Sequence, residues 1–246
     1  LEKAKDDSER EEITAASAGT FDIALGGGIQ SAPVWLDEWN LLYNRRMPSD
    51  RHGSHWWDMY RHVINTRDPR KGTKKRITHN LRGTYPDLSP DHRYLVFVKN
   101  GAGQNNLCVL DRNDDSERPL TSYKDGTQIY RPTWSPDGQR IVFTLHRGSH
   151  VDIAVIDRDG KNLRLLAASS GQDRDPAWTS DGTSVVFSSD ITGIANLYRI
   201  TTDGTTVRRL TNVVGGAFSP AVSPKDTTIA FSYYGPGGYE IRLLPM

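Results

Sequence analysis

Short apolar runs alternate with polar turn residues along most of the chain. The clearest runs, such as Ile141-Val142-Phe143 and Val185-Val186-Phe187, are rich in the β-branched and aromatic residues that favour strands. Because these runs are continuous instead of alternating, we expect the middle strands to be buried on both faces. No segment after Lys71 has an apolar stripe at helical spacing, so the pattern excludes parallel βαβ units.

The pattern repeats with a period of 44 to 46 residues. In four copies a proline is followed by a phenylalanine 11 residues later and by an acidic or amide residue 20 residues later. The anchors are Pro86/Phe97/Asn106, Pro132/Phe143/Asp152, Pro176/Phe187/Asn196 and Pro220/Phe231/Glu240. A looser copy starts at Pro33, with Tyr43 and Asp58. Four short strands in such a period predict an all-β fold, a β-propeller of four-stranded antiparallel blades with five repeats visible.

Turn residues and aromatic residues recur at fixed places in each copy. Ser135-Pro136-Asp137-Gly138 combines a residue with preset φ, a carboxylate that bonds its own backbone and a glycine that tolerates positive φ, so it predicts a tight turn. Trp134 and Trp178 precede the same turn in successive copies, and we expect both to be buried between blades. Phe97, Phe143, Phe187 and Phe231 should occupy equivalent positions in successive sheets.

These residues carry a family resemblance. Residues 33 to 246 resemble the WD-like repeat of the TolB-type propellers. The resemblance consists of four motifs in order: Pro-x-Trp-Ser-Pro-Asp-Gly, then an apolar run that ends in Phe, then Asp-Ile-Ala, and then Leu-Thr. That family includes the periplasmic Tol-Pal translocation protein and the propeller domains of tricorn-like and prolyl-oligopeptidase-like peptidases. The resemblance implies a periplasmic or envelope location and a protein partner, but such propellers serve many unrelated functions.

The two ends of the chain decide how the ring closes. Residues 1–12 are a charged lead-in or linker, and residues 13–246 form the predicted propeller. The last copy ends after three strands, so a strand around residues 11–16, containing Ile13 and Thr14, could pair with Glu240-Ile241-Arg242-Leu243 and close five blades. The alternative is that the chain is part of a larger propeller. Since it begins with leucine, we expect a processed or excised piece.

Composition excludes several partners. The net charge is +1, from 31 basic and 30 acidic residues, which argues against nucleic acid and against an anionic membrane surface. No apolar run approaches 18 residues, so no spanning helix is predicted. The single cysteine, Cys108, falls in a predicted strand and is expected to be a small buried side chain.

Catalytic motifs are missing from the sequence. It contains no Gly-x-Ser-x-Gly, no His-Glu-x-x-His, no Cys-x-x-Cys and no phosphate-binding loop. We therefore predict a chain that is not an enzyme and that has no cofactor and no resident metal. Peptidase activity would need a separate domain.

The densest group of candidate binding residues lies in a loop of the first copy. Arg51, His52, His55 and Trp56 are residue types enriched at interface hot spots, which favours a protein-contact loop. Two alternatives stay open. His52 and His55 could bind a metal with Asp50 or Asp58, or the tryptophans could pack on the blade and leave a solvated loop.

Two charged segments are weaker candidates. The basic run from Arg67 to Arg76 could contact phosphates but contains no aromatic residues, so a solvated loop is the simpler interpretation. Asp173-Arg174-Asp175 resembles a calcium-binding cluster, although the arginine between the acids suggests internal neutralisation.

The residue before each repeat proline is a further candidate. If the proline begins the innermost strand, these residues ring one mouth of the central channel. They are Ala32, Tyr85, Arg131, Asp175 and Ser219. Their chemical variety argues against a symmetric ion site and favours an asymmetric contact surface, for which Tyr85, Arg131 and Asp175 are the predicted binding residues.

Two functions therefore remain after the sequence is read. The first is a non-catalytic propeller module for protein–protein interaction, which the resemblance implies lies in the bacterial cell envelope. The alternative is the substrate-gating propeller domain of a serine peptidase or another hydrolase, whose catalytic domain lies outside this chain.

Overall fold

The computed structural model describes residues 33–48, 55–65, 72–101 and 103–246, and over these ranges the chain forms five antiparallel sheets in sequence order. The first sheet contains β1 (Val34–Asp37), β2 (Asn40–Pro48), β3 (His55–Val63) and β4 (Thr73–Arg76). The second contains β5 (Gly83–Leu88), β6 (Tyr94–Asn100), β7 (Asn105–Asp111) and β8 (Glu117–Pro119). The third contains β9 (Gln128–Trp134), β10 (Arg140–Arg147), β11 (His150–Asp157) and β12 (Arg164–Ala167). The fourth contains β13 (Arg174–Trp178), β14 (Ser184–Ser189), β15 (Asn196–Thr201) and β16 (Val207–Arg209). The fifth contains β17 (Gly216–Val222), β18 (Thr228–Gly235) and β19 (Gly238–Pro245).

Each sheet is one blade of a propeller. Its strands are consecutive in sequence and pair with their sequence neighbours. The first strand of each blade packs on the first strand of the next, so that β5 contacts β9, β9 contacts β13 and β13 contacts β17. These are the innermost strands, and the other strands of each blade extend outward from them. The prediction of a β-propeller with five visible blades is confirmed.

The predicted turn forms as its residues require. In Ser135-Pro136-Asp137-Gly138 the amide of Gly138 donates to the carbonyl of Ser135 at 2.8 Å, and Gly138 has a φ of 65°. The carboxylate of Asp137 accepts hydrogen bonds from the hydroxyl of Ser135 and from the amide of Gln139. A side chain with a Cβ would be strained at the φ of Gly138, which explains why glycine follows Pro-Asp in this turn.

The core lies between blades, as the continuous apolar runs predict. Trp134 and Trp178 are 5% and 8% exposed, so their predicted burial is confirmed. The four repeat phenylalanines are also buried, and each pairs with the corresponding residue of the third strand of its blade. These pairs are Phe97 with Cys108, Phe143 with Ala154, Phe187 with Tyr198 and Phe231 with Arg242.

The position of the repeat prolines in their strands differs from the one considered from the sequence. Pro86, Pro132, Pro176 and Pro220 lie within the innermost strands instead of beginning them. The strand register shifts around the prolines, for example between Thr84 and Asp87 of the second blade. Proline lacks the N–H that a regular ladder needs, and a bulge is one of the few places in a sheet that tolerate it. The residue before each of these four prolines therefore also lies within an innermost strand.

The fifth blade has an exposed outer edge among the described residues. Ile241 is 72% exposed and Leu243 is 69% exposed, both on β19. Ile13 and Thr14, which were predicted to pair with this strand, lie outside the described residues, so the closure prediction stays a prediction. In the part of the chain that the structure describes, no helix is long and apolar enough to cross a membrane.

Candidate functional site

A cavity of about 320 Å³ opens where the innermost strands of the third and fourth blades begin. We call it the mouth cavity. Its lining residues come from the second, third and fourth blades and are Tyr85, Tyr130, Arg131, Thr144, His146, Val151, Gln172, Arg174 and Asp175. Three of these, Tyr85, Arg131 and Asp175, are the predicted channel residues. The structure therefore places them around one cavity, although they are separated in sequence by about one repeat.

The backbone of the predicted channel residues is unusual. Tyr85, Arg131, Asp175 and Ser219 all have a positive φ, of 52°, 49°, 58° and 49°. The left-handed region is sparsely populated by residues with a Cβ, and each such residue costs about 1–3 kcal/mol. The second, third, fourth and fifth blades therefore contain the same strained bend directly before the repeat proline.

Polar contacts join three blades at this place. The guanidinium Nε of Arg131 lies 3.4 Å from the carboxylate Oδ1 of Asp175. Arg131 Nη1 donates to the hydroxyl of Ser219 at 3.0 Å, and that hydroxyl donates to Asp175 Oδ2 at 3.0 Å. The Arg131 side chain remains 49% exposed, so much of its guanidinium group faces solvent. This arrangement can bind a polar group, because the guanidinium and the carboxylate both form charge-assisted hydrogen bonds.

Aromatic and cationic side chains complete the mouth cavity. The rings of Tyr85 and Tyr130 meet edge to face with their centroids 6.1 Å apart. Arg174 donates to the side-chain oxygen of Gln172 at 3.3 Å, and His146 lines the same wall. Tyrosine and arginine side chains offer both apolar contact and hydrogen bonds, which suits a protein surface more than an apolar small molecule.

The predicted contact loop of the first blade is described in part. Arg51 and His52 lie outside the described residues. His55 is exposed at the start of β3, and Trp56 is half-buried with the guanidinium of Arg82 3.5 Å from its ring centroid. β2 ends and β3 begins at the same end of the propeller as the mouth cavity, because the equivalent strands of the third blade, β10 and β11, border that cavity with His146 and Val151. His55 and Trp56 are therefore at the mouth end but do not line the cavity.

One candidate ligand of the alternative metal site in this loop, Asp58, is already occupied by other contacts. Asp58 is fully buried and accepts hydrogen bonds from Arg76, from Thr78 and from the backbone amides of Asn80 and Leu81. A carboxylate saturated in this way has no free oxygen for an ion near His55. Within the described ranges, no group of three or more His, Cys, Asp and Glu side chains is placed to hold a metal ion.

The two charged segments have structural partners where they are described. Asp173 accepts hydrogen bonds from the amide and the hydroxyl of Ser169, and Asp175 pairs with Arg131 of the preceding blade. The neutralising arginine for Asp175 is therefore Arg131, and the expected neutralisation by Arg174 is wrong for this carboxylate. In the basic run, Arg76 donates to Asp58, whereas Arg67 lies outside the described residues.

Sequence reasoning did not predict six of the lining residues of the mouth cavity as binding residues. They are Tyr130, Thr144, His146, Val151, Gln172 and Arg174. Tyr130 and Arg174 directly precede the pre-proline residues, so the repeat argument would have found them if it had been extended by one position. His146 and Gln172 lie on a neighbouring strand and on a connecting segment, and no repeat signal marks them.

Comparison with protein families gives one match that spans most of the propeller. The family described as the TolB beta propeller domain matches residues 86–243. The matched segment contains all four regular copies of the repeat, from Pro86 to the third strand of the last blade.

Individual proteins match over shorter segments. The Tol-Pal system protein TolB of Hydrogenovibrio crunogenus is 30% identical over 90 residues, which are 36% of this chain and 20% of that protein. The chain therefore matches about a fifth of the length of this relative.

Solved structures match over almost the whole chain. A TolB-type protein of Agrobacterium tumefaciens has a TM-score of 0.70 at 23% identity, covering 87% of this chain and 76% of that one. Puromycin hydrolase has a TM-score of 0.68 at 18% identity, covering 90% of this chain and 37% of that one. At these identities the likeness concerns the fold alone.

Proposed function

Because the chain belongs to the TolB beta propeller domain family, we propose that it is a non-catalytic module that binds another protein in the bacterial cell envelope. The envelope location rests on the resemblance to TolB-type propellers, since a Tol-Pal system protein is among the relatives. The partner's identity is not part of the proposal.

The observation that carries this proposal is the convergence of three blades on the mouth cavity. Tyr85, Arg131 and Asp175 are held there by the same strained bend, and Ser219 of the next blade bonds to both charged groups. Strain of this kind persists where the surrounding structure fixes it, and it clusters at binding sites. A preorganised polar surface with two tyrosines lowers the entropy cost of binding a partner.

The chemistry of the mouth cavity favours a partner with both apolar and charged groups. Tyr85 and Tyr130 offer ring edges, Arg131 and Arg174 offer cationic donors, and Asp175 is the one carboxylate in the lining. Residues of these types dominate the energetics of protein interfaces when they lie near the centre of the contact. Because the cavity is surrounded by the ends of several blades, a partner would contact several repeats at once.

The test is affinity capture from a bacterial envelope extract. The wild-type chain should recover a specific partner, and Arg131→Ala and Tyr85→Ala should each reduce recovery at least tenfold, about the effect of removing an interface hot spot. Lys225→Ala is the matched control, because Lys225 is an exposed cation in the turn between β17 and β18, at the opposite end of the propeller. A blank across envelope and cytoplasmic extracts would contradict the proposal.

A second function is favoured by one comparison. Puromycin hydrolase matches 90% of this chain but uses only 37% of its own length in the match, so a propeller like this one can be part of a longer hydrolase. The chain would then gate substrate access to a catalytic domain. Sequencing the gene on both sides of the region that encodes residues 1–246 distinguishes the two functions, because the gating function requires a hydrolase domain in the same product.

A further inference from the structure

A second cavity, of about 470 Å³, lies between the fourth and fifth blades. We call it the turn-end cavity, because it lies where β14 begins and β15 ends, whereas the end of β10 and the start of β11 border the mouth cavity at the opposite end of the propeller. Its volume is within the range of about 300–1,000 Å³ that is common for small-molecule sites. Six of its lining residues matter here, and they are Ser184, Arg199, Arg208, Leu210, Leu244 and Pro245.

Two small side chains explain why space exists between these blades. Between the third and fourth blades, the guanidinium of Arg140, the first residue of β10, lies 5.2 Å from the ring centroid of Trp178, the last residue of β13. One blade later, the corresponding residues are Ser184, the first residue of β14, and Val222, the last residue of β17. Serine and valine fill much less volume than arginine and tryptophan, so the space stays open.

Arg199 stands at a position that belongs to the core in other blades. It is half-buried and pairs with Val186 of β14. The residues in the same register of the second and third blades are Val109 and Val155, which are 1% and 3% exposed. Placing a guanidinium group where its counterparts are buried valines is costly unless the charge is paired. An anion in the cavity would pair it.

Arg208 adds a second positive charge beside the first. It pairs with Arg199 across β15 and β16, so both side chains leave the sheet on the same face, with Cβ atoms about 4.5–5.5 Å apart. Like charges directly opposite each other destabilise a sheet. Neither guanidinium donates a hydrogen bond to, or forms a salt bridge with, any residue that the structure describes. Both retain donors for a ligand.

The counterparts of Arg208 are anchored, whereas Arg208 is not. Arg118 and Arg164, at the same position of the second and third blades, each donate from Nη2 to a backbone carbonyl of the next blade, that of Arg158 or of Thr202. The corresponding residue of the fifth blade is Met246, because the amides of all three donate to equivalent carbonyls. Over the described ranges, Arg208 makes no such bond to Met246.

Acidic residues leave the positive charge of the cavity largely uncompensated. Among the described residues, no Asp or Glu lines it. In the adjoining turns, Asp181 accepts from the hydroxyl of Thr179 and Asp203 from that of Thr201, and these hydrogen bonds are the largest cause that lowers the pKa of each carboxyl to about 2. The charge of Arg199 acts on Asp181 only at longer range, since the two form no salt bridge.

We propose that the turn-end cavity binds a small organic phosphate monoester. Its phosphate oxygens accept from the guanidinium groups of Arg199 and Arg208, whose planar forks match phosphate geometry. A phosphate monoester carries about −1.5 to −2 charges at pH 7, so one group balances both arginines, which a monocarboxylate does not. The apolar body of the ligand lies against Leu210, Leu244 and Pro245, which are all at least partly exposed. This site is separate from the mouth cavity and does not depend on the proposed protein partner.

The experiment is calorimetric titration of the chain with phenyl phosphate at pH 7.5. Binding should saturate with a dissociation constant below about 1 mM. Benzoate, which has the same ring and a single charge, should bind at least tenfold more weakly, because it balances only one arginine. Inorganic phosphate should also bind at least tenfold more weakly, because it has no apolar body to bury.

Three variants locate the site. Arg199→Val restores the residue type of the second and third blades, so it should unfold at an unchanged or higher urea concentration and yet bind phenyl phosphate at least tenfold more weakly. Arg208→Ala should weaken binding to a similar extent. Arg164→Ala is the matched control, since Arg164 occupies the same position one blade earlier and is bound to the carbonyl of Thr202, and it should leave binding unchanged.

Four outcomes would overturn the proposal. The first is that phenyl phosphate does not saturate the chain below about 10 mM. The second is that benzoate or inorganic phosphate binds as well as phenyl phosphate. The third is that folded Arg199→Val binds as tightly as the wild-type chain, and the fourth is that Arg164→Ala weakens binding as much as Arg208→Ala.

Discussion

The guanidinium of Arg131 lies 3.4 Å from the carboxylate of Asp175, and the two residues occupy the same repeat position in adjacent blades. Each directly precedes a proline and each has a left-handed backbone conformation. The repeat thus preserves the bend of the chain while the side chain at the bend changes from blade to blade. As a result, equivalent positions in adjacent blades carry complementary charges.

This ion pair should matter more for binding than for folding. The Arg131 side chain is half exposed, and exposed ion pairs contribute about 0–1 kcal/mol to stability. We expect Arg131→Ala and Asp175→Asn, singly and together, to change the free energy of unfolding in urea by less than about 1 kcal/mol. A loss several times larger in either single variant would mean that the network holds the blades together.

Substitutions at the two repeat tryptophans should distinguish the contribution of packing to stability from that of hydrogen bonding. Replacing Trp134 or Trp178 by Ala should each lower the unfolding free energy by roughly 3–5 kcal/mol, since both are buried between blades. Replacement by Phe should cost more at Trp178 than at Trp134, by about 1 kcal/mol, because only the Trp178 indole donates to a backbone carbonyl. Urea denaturation of the four variants measures both effects, and equal losses for the two Phe variants would contradict the assignment of this bond.

Asp152 should make the protein less stable at neutral pH than at acidic pH, where its carboxyl group is protonated. Burial, and then the neighbouring Asp173, raise the pKa of Asp152 above its ordinary value. Where the folded pKa exceeds the unfolded one, the native state binds the extra proton, so the protein loses stability as the pH rises from the unfolded pKa through the folded pKa. In the second and fourth blades the same position is an amide, Asn106 or Asn196, which accepts from a threonine hydroxyl.

Asp152→Asn should therefore stabilise the protein at pH 7, by roughly 1 kcal/mol. The gain should shrink as the pH falls through the acid range, because the wild-type carboxyl is then protonated. Thermal unfolding of both proteins across this range measures the difference. Asp111→Asn serves as the control, since the pKa of Asp111 is lowered, chiefly by its hydrogen bond from Arg93, and its loss should destabilise at neutral pH.

Cys108 should react with thiol reagents only when the second blade opens. It is 3% exposed, and burial, followed by the charge of Glu117, raises the pKa of its thiol to about 12. Because the thiolate is the reactive form, native protein at pH 8 should be modified far more slowly than protein in denaturant. Mass spectrometry after timed exposure to a maleimide measures the ratio, and similar rates in both conditions would show that this blade opens readily.

Several of these features were predictable from the sequence because they recur. The burial of Trp134 and Phe143 follows from their fixed offsets, since a repeat places equivalent residues between equivalent sheets. The mouth cavity was predictable in part, because Arg131 and Asp175 share an offset with Tyr85. That His146 lines the mouth cavity was not predictable, since its position depends on the irregular register between β9 and β10. The unpartnered indole N–H of Trp134 was not predictable either, because the indole at the same repeat position one blade later, that of Trp178, donates to a backbone carbonyl.

The fifth blade leads to the riskiest prediction. Its last strand presents Ile241 and Leu243 at 72% and 69% exposure, and an apolar strand edge of this kind invites pairing with another strand. If Ile13 and Thr14 form that strand, deletion of residues 1–19 should lower the unfolding free energy by several kcal/mol, because the burial and the hydrogen bonds of a whole strand are lost. Deletion of residues 1–10 is the matched control, since it removes much of the charged lead-in and leaves both residues in place. Closure by this strand would be contradicted if deletion of residues 1–19 left the unfolding free energy unchanged, or if the two deletions lowered it equally. In that case the alternative of a larger propeller would account for the exposed edge.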